Sequence, residues 1–280
     1  MWLFEGLGHL RLRSTFATGY FGLGGIQPMY LKDYPFLALV VSFGALWLVA
    51  EIGKALRNRV GPLKEEERDD FNVVLGGTLT LLGLLIGFSF SMAISRYDQR
   101  KIYEEAEANA IGTEYVRADL LPAGNAAEVR ELLRKYLDQR LLFYTTRDPR
   151  QLAKVNADTS ELQSKLWSAA RAQAASQPTP IVALAISGMN DVLNSQGYTQ
   201  AAWWNRIPRM AWVLMVAIAL GCNLLIGYGA RLTDRRIFLI MPIVVSISFF
   251  LIADIDSPRR GTIRVAPENL LSLSQSLSAE

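Results

Sequence analysis

The sequence predicts an all-α membrane protein with four transmembrane helices and a soluble helical bundle inserted between the second and third spans. The first observation is a set of four uncharged apolar stretches, Pro35–Ala50, Phe71–Ser95, Met210–Ala230 and Ile237–Ala253. A bilayer core of about 30 Å needs roughly 20 helical residues, so each stretch supplies most or all of one span. The second observation is region 96–206, which has nearly balanced charge, repeated helix-start signals and no alternating strand pattern.

The composition of the 280-residue chain excludes several classes of protein. Hydrophobic residues make up 51% and charged residues 20%, and the net charge of +3 reflects basic residues beside the spans. We therefore expect the lipid bilayer as a partner and no nucleic-acid binding. Cys222 and His9 are the single cysteine and the single histidine. We expect no disulfide within the chain, no metal site and no cofactor.

The chain divides into five segments on this plan. They are an irregular, interfacial N-terminal segment (1–34), a transmembrane hairpin (35–95), the soluble bundle (96–206), a second transmembrane hairpin (207–256) and a C-terminal tail (257–280). The last residues of the tail are expected to be poorly ordered. With four spans, both termini and the bundle lie on the same side of the membrane. The distribution of lysine and arginine does not decide which side this is.

The second span continues into the soluble region without a break. No charge falls between Phe71 and Ser95, and no proline interrupts the chain from there to Pro122. The residues after Arg96 are charged but rich in helix formers. We therefore predict one long helix, which leaves the membrane near Arg96 and couples the membrane region rigidly to the soluble region.

Small residues follow one face of the membrane half of this helix. The members of this small-residue stripe are Gly76, Thr80, Gly83, Gly87, Ser91 and Ser95, spaced three or four residues apart. One interpretation is close packing against another helix, since small side chains let backbones approach in lipid. The other is that the stripe lines a path between several copies of the chain. Phe88, Phe90 and Met92 are then candidate constriction residues, although they point to different faces.

Three start signals divide the rest of the soluble region into helices. They are the capping-box pattern Asn125–Glu128 and the cap-proline pairs Asp148–Pro149 and Thr179–Pro180. Gly197 is expected to end the last of these helices. Together with the continuation of the second span, these helices are predicted to form an antiparallel bundle.

Charged residues also occur where the spans end. Arg96 and Arg100 follow the second span, and Asp254 and Asp256 end the fourth. We interpret these four side chains as charges in the membrane interface. A second group contains Glu104, Glu105 and Glu107, which follow Arg100 and Lys101 by helical spacings. This spacing is typical of surface ion pairs.

Three blocks of sequence resemble a bacterial family of four-span membrane proteins described as bestrophin-like, whose biochemical function is unknown. The blocks are FSFSMAISRYDQR (88–100), EAEANAIGTEYVRADLLP (105–122) and DSPRRGTIRV (256–265). The resemblance implies a distant similarity to bestrophins, which are pentameric anion channels with a cytoplasmic helical part. In those channels a long helix with apolar constriction residues lines the pore. The bestrophin calcium-clasp acidic cluster and tryptophan-rich block have no counterpart that can be placed here.

Two functions are compatible with these features. The first is a homo-oligomeric channel for inorganic anions in a bacterial inner membrane, with the helix of residues 71–120 lining the path and the bundle in the cytoplasm. The alternative is a membrane-anchored interaction or sensing protein whose bundle binds a partner without conduction. An enzyme is not expected, because the sequence contains none of the motifs GxSxG, GxxxxGK[ST] or HExxH.

Overall fold

The computed structural model describes residues 34–176, 178–230 and 237–279, and these ranges contain helices and no strand. The helices are α1 (Pro35–Val60), α2 (Glu65–Arg117), α3 (Ala123–Thr145), α4 (Pro149–Ser176), α5 (Pro180–Trp204), α6 (Arg209–Gly229), α7 (Ile237–Asp256) and α8 (Glu268–Ser278), with a 3-10 turn at Ala118–Leu120. The segment 1–33 and the predicted connection 231–236 lie outside the described residues.

Four helices are long and apolar enough to cross a membrane: α1, the first part of α2, α6 and α7. The prediction of four spans is therefore confirmed. The prediction of one long second helix is also confirmed, because α2 runs unbroken for 53 residues. Its acidic first turn, Glu65–Glu67, lies at the positive end of the helix dipole, where negative charge is favourable.

The four spans do not pack as two separate hairpins. α1 packs against α6 and α7, and α2 packs against the same two helices. Although α1 and α2 are consecutive, they do not pack against each other. The predicted hairpin of spans 1 and 2 is therefore wrong as a packing unit. All four helices meet in one apolar cluster, whose buried members are Leu46, Leu82, Met215, Ala219, Cys222, Val245 and Phe249.

Two glycines hold α1 and α6 in close contact. A Cβ atom added at Gly53 would overlap the backbone carbonyl of Leu224, and one added at Gly227 would overlap that of Ala50. Each helix thus contributes a glycine where the backbone of the other passes. In lipid this close approach supplies the dispersion contacts that hold helices together.

The soluble bundle is built on the C-terminal half of α2. α5 packs along this half, α4 packs between α3 and α5, and α8 packs on α2 and α3. The core is apolar and aromatic, and its most deeply buried members include Ile111, Leu133, Tyr136, Phe143, Leu166 and Val192. The predicted helical bundle between spans 2 and 3 is confirmed.

The helix-start predictions succeed where a side chain accepts from a backbone amide. The hydroxyl of Thr179 accepts from the amide of Val182 at 3.2 Å, and the carboxylate of Asp148 accepts from the amide of Arg150 at 3.0 Å. The Asn125–Glu128 prediction is wrong, because α3 already begins at Ala123.

Two predicted chain endings are also wrong. Gly197 lies inside α5, which continues to Trp204 because Thr199, Ala202 and Trp203 are buried. The tail is not a poorly ordered end either, since it contains α8, in which Leu270 and Leu277 are buried. The burial of these side chains in α5 and α8 outweighs the tendency of a glycine, or of a chain end, to interrupt a helix.

Candidate functional site

The outward face of α2 is the main candidate site in the membrane region. All six residues of the small-residue stripe are exposed in the single chain. Cβ atoms added at Gly76, Gly83 or Gly87 would meet no atom of another described helix within 4 Å. This is the opposite of Gly53 and Gly227, whose Cβ positions are filled by a neighbouring backbone. The stripe therefore does not serve helix packing within the described part of the chain.

The buried face of α2 lies opposite the stripe. Leu82, Ser89 and Ala93 are buried there, and α2 makes its membrane contacts with α6 and α7. At about 100° per residue, these positions fall on the side of the helix that faces away from Gly87 and Ser91. The fold thus leaves the stripe as the free surface of the second span.

The three candidate constriction residues surround the end of the stripe nearest the bundle. Phe88 is 59% exposed, whereas Phe90 and Met92 are 37% and 38% exposed. By helical angle, Phe88 lies beside Ser91, and the other two lie on opposite flanks of the helix. Phe88 is therefore the aromatic ring best placed to accompany the stripe.

A buried guanidinium lies where α2 passes from the membrane region into the bundle. Arg100 is 1% exposed. It donates to the carbonyls of Ala202 (3.3 Å), Asn205 (3.4 Å) and Ile255 (3.2 Å). These carbonyls belong to the C-terminal ends of α5 and α7, where a positive charge is favourable. Burial lowers the pKa of Arg100 to about 10, partly offset by Asp256, so the group remains charged at neutral pH.

Asp254 and Asp256 complete this boundary layer. One carboxylate oxygen of Asp256 accepts from the amide of Ile207 at 3.0 Å. The Asp254 carboxylate accepts from the Thr262 amide and hydroxyl at 2.7 and 2.8 Å and from the Ile263 amide at 2.8 Å. These bonds fasten α7 to the chain that follows it and to the segment that precedes α6.

The sequence-based interpretation of the boundary charges is only partly right. Arg96 is half-buried and donates to the side-chain oxygen of Asn205 at 3.3 Å. Arg100, Asp254 and Asp256 do lie at the span ends, but they are buried within the protein instead of facing the interface. They join the spans to the bundle.

A second buried polar group lies deeper in the bundle. Arg140 donates two hydrogen bonds to the Glu107 carboxylate, which also accepts from Thr199 at 3.0 Å and from Tyr144 at 3.4 Å. Both charged side chains are fully buried. Burial alone would lower the pKa of Arg140, but the facing Glu107 raises it above its ordinary value. These hydrogen bonds link α2 to α3 and α5.

Glu104 is the third buried charge of α2. Its carboxylate accepts from the Asn269 side chain at 2.6 Å and from the Leu270 amide at 2.9 Å, and so caps the start of α8. The predicted surface ion pairs are thus wrong for Glu104 and Glu107, whereas Glu105 is exposed. The signal that identifies them is periodicity, since Glu104 and Glu107 share a helical face with buried Ile111.

Glu114 continues this face and has a different environment. It is 1% exposed, and its Oε2 atom has no hydrogen-bond partner. It packs against Gly188 of α5, which lacks the Cβ atom that would occupy this space. Burial raises the pKa of Glu114 to about 8, with Arg117 opposing the shift and Asp191 adding to it.

Taken together, these features define a four-span helical membrane protein with an unpartnered face on its long second helix. A family model described as the Bestrophin-like domain matches residues 39–270. The chain belongs to this Bestrophin-like family. No curated protein sequence gives a significant match.

Solved structures of a bacterial bestrophin homologue from Klebsiella pneumoniae share the fold. One, phased on zinc, matches with a TM-score of 0.61 and 14% identity, covering 87% of this chain and 97% of that chain. A single-substitution variant matches with a TM-score of 0.59 and 13% identity, covering 88% and 98%. At such identities the likeness establishes the fold alone.

Proposed function

We propose that the protein is a homo-oligomeric anion channel in which the outward face of α2 lines the conduction path. The observation that carries the proposal is the small-residue stripe, which is exposed along the whole membrane half of α2. A lipid-facing helix has no need of glycines and hydroxyls on its outward side. Copies of the chain arranged around an axis would bring these six positions together, so that they line a path along the axis.

The chemistry of this face suits an anion path. Its glycines keep the path wide, and Thr80, Ser91 and Ser95 place hydroxyl groups along it. Phe88 projects beside Ser91 and would narrow the path next to the bundle. The edge of an aromatic ring is electropositive, so such a constriction favours anions over cations. Membership of the Bestrophin-like family supports the same function.

The proposed setting is a bacterial inner membrane with the bundle in the cytoplasm. This orientation is supported by the family resemblance, in which the helical part is cytoplasmic. The boundary layer around Arg100 would then lie at the cytoplasmic surface and transmit movements of the bundle to the spans.

Anion flux from liposomes that contain the purified protein tests the proposal. We expect chloride efflux above that of empty liposomes, and we expect Phe88→Ala to change it by roughly tenfold, because one constriction residue governs a narrow path. Ile240→Ala is the matched control, since Ile240 is equally exposed, at 59%, but lies on α7. Absence of flux above empty liposomes with several anions and potentials would contradict the proposal.

A further inference from the structure

An open groove of about 520 Å³ lies at the boundary between the spans and the bundle. The described residues that line it are Tyr34, Pro35, Phe36, Leu37, Arg147, Arg259 and Arg260. They come from the start of α1, the connection between α3 and α4, and the chain that follows α7. The volume is within the range of small-ligand sites, roughly 300–1,000 Å³.

Three arginines give the groove a positive charge. No acidic side chain is among its described lining residues. Arg259 donates to the carbonyls of Phe143 (2.8 Å) and Thr146 (3.1 Å), and its guanidinium stacks on the ring of Trp203 at 4.3 Å. Arg260 lies over the ring of Tyr34 at 4.4 Å. None of these contacts neutralises a guanidinium charge.

The segment that carries two of these arginines is held in a fixed shape. The Gly261 amide donates to the Ser257 carbonyl at 3.0 Å, and Thr262 is bonded to the buried carboxylate of Asp254. A Cβ atom at Gly261 would overlap the Asp254 carbonyl, so the turn closes tightly. Arg259 and Arg260 are therefore presented by a rigid loop.

The other wall of the groove is the first turn of α1. Early amides of a helix lack acceptors within the helix and point towards its start, where they favour an anion. Phe36 and Leu37 are 62% and 51% exposed, and the exposed Val40 continues this apolar surface along α1. A ligand bound here meets positive charge at one end and an apolar, membrane-facing surface at the other.

We propose that this groove binds the headgroup of an anionic phospholipid, with the phosphate among Arg147, Arg259 and Arg260 and the acyl chains along α1. Guanidinium groups bind phosphate oxygens through charge-assisted hydrogen bonds. Basic residues beside a span attract anionic lipids at the membrane surface. A free phosphate would share the headgroup chemistry but would leave the exposed apolar surface of Phe36 and Leu37 uncovered. The proposal does not depend on conduction.

Native mass spectrometry of the full chain in detergent tests this site with two lipids of identical acyl chains, phosphatidylglycerol and phosphatidylcholine. We expect the wild type to retain phosphatidylglycerol preferentially. The variant Arg147→Gln with Arg260→Gln is expected to reduce its apparent affinity for phosphatidylglycerol by roughly tenfold or more. Both side chains are exposed and are chosen to spare the fold, whereas Arg259 is left intact because it supports Phe143 and Trp203.

A matched double variant, Arg150→Gln with Arg264→Gln, removes the same charge from exposed positions three or four residues further along the chain, which do not line the groove. It is expected to keep the wild-type affinity for phosphatidylglycerol within about twofold. Equal losses in the two double variants, or no loss in the groove variant, would overturn the proposal. Inorganic phosphate distinguishes the two sources of the ligand. If it displaces phosphatidylglycerol at millimolar concentration, the lipid assignment is wrong, whereas retention of the lipid supports it.

Discussion

The two halves of α2 differ in whether their polar side chains are exposed or buried. The half in the membrane has no charge from Phe71 to Ser95 and leaves the six residues of the small-residue stripe exposed. The half in water buries Arg100, Glu104, Glu107 and Glu114, each at 1% exposure or less. The bundle therefore satisfies most of its polar groups within one chain, while the membrane half presents a face that one chain does not use. The proposed assembly of several copies would use this exposed face of the spans.

The largest expected effect is at the buried pair of the bundle. Glu107→Ala leaves the Arg140 guanidinium buried without its main partner, and we expect it to lower the free energy of unfolding by about 3–5 kcal/mol. Thermal unfolding in detergent, followed by circular dichroism, measures the change.

Two further variants test whether the loss comes from leaving one buried charge without its partner. Glu107→Leu combined with Arg140→Met removes both charges, and we expect it to recover most of the loss. Glu161→Ala is the control, because Glu161 forms an exposed pair with Lys165, and we expect no measurable change. A Glu107→Ala protein as stable as the wild type would show that the buried pair does not hold the bundle together.

An intermediate effect distinguishes the two kinds of glycine in the spans. Gly227→Ala forces a methyl group into the backbone of Ala50, so we expect a loss of about 1–3 kcal/mol in the free energy of unfolding. Gly83→Ala adds the same methyl group to open space, and we expect no loss, because alanine is the better helix former. Both variants are compared by thermal unfolding in the same detergent. Equal destabilisation would mean that Gly83 is packed within the chain.

The smallest expected effect is the pH dependence caused by Glu114. Its pKa of about 8 lies above the ordinary value of 4.5. Between these values the folded protein holds a proton that the unfolded chain has released, so the free energy of unfolding falls as pH rises.

Replacement of this side chain is expected to remove the dependence. Glu114→Gln keeps the shape without the charge, and we expect it to gain roughly 1 kcal/mol over the wild type above pH 8, allowing for solvent screening. Below about pH 5 we expect no such gain. Unfolding curves measured from pH 5 to pH 9 check this, and parallel curves for the two proteins would exclude Glu114 as the source.

The sequence was sufficient for features that depend on neighbouring residues. A charge-free run long enough to span a bilayer predicts a membrane helix regardless of its partners. The caps at Asp148 and Thr179 are equally local, because each side chain bonds an amide two or three residues away. The long α2 follows from the absence of proline.

The features that could not be predicted depend on residues far apart in sequence. Glu107 meets Arg140 and Thr199 at separations of 33 and 92 residues, and Glu104 meets Leu270 at 166. Charged residues three or four positions apart on a helix can form ion pairs with each other at the surface, or each can face a distant partner in the core. The sequence spacing is the same in both cases. The close contact of α1 with α6 likewise depends on Gly53 and Gly227, and the need for a glycine at these positions is evident only when both helices are in place.

The small-residue stripe on α2 combines a feature that the sequence predicts, its spacing, with one that it does not, its contacts. Its spacing could be read from the sequence, but packing and path lining predict the same pattern of small residues. The structure excludes packing within the described chain, and contacts between copies are the proposed explanation. The roles of Gly83, Gly87 and Ser91 in conduction remain predictions.

The most direct test of this account is the mass of the purified assembly in a lipid nanodisc. We predict a closed ring of four or more copies, because only such a ring gives the exposed faces of α2 a common axis wide enough for an anion path. A monomer or a dimer would contradict the account, since neither encloses an axis along Gly83, Gly87 and Ser91. The bundle, and a partner that it binds, would then become the place to look for function.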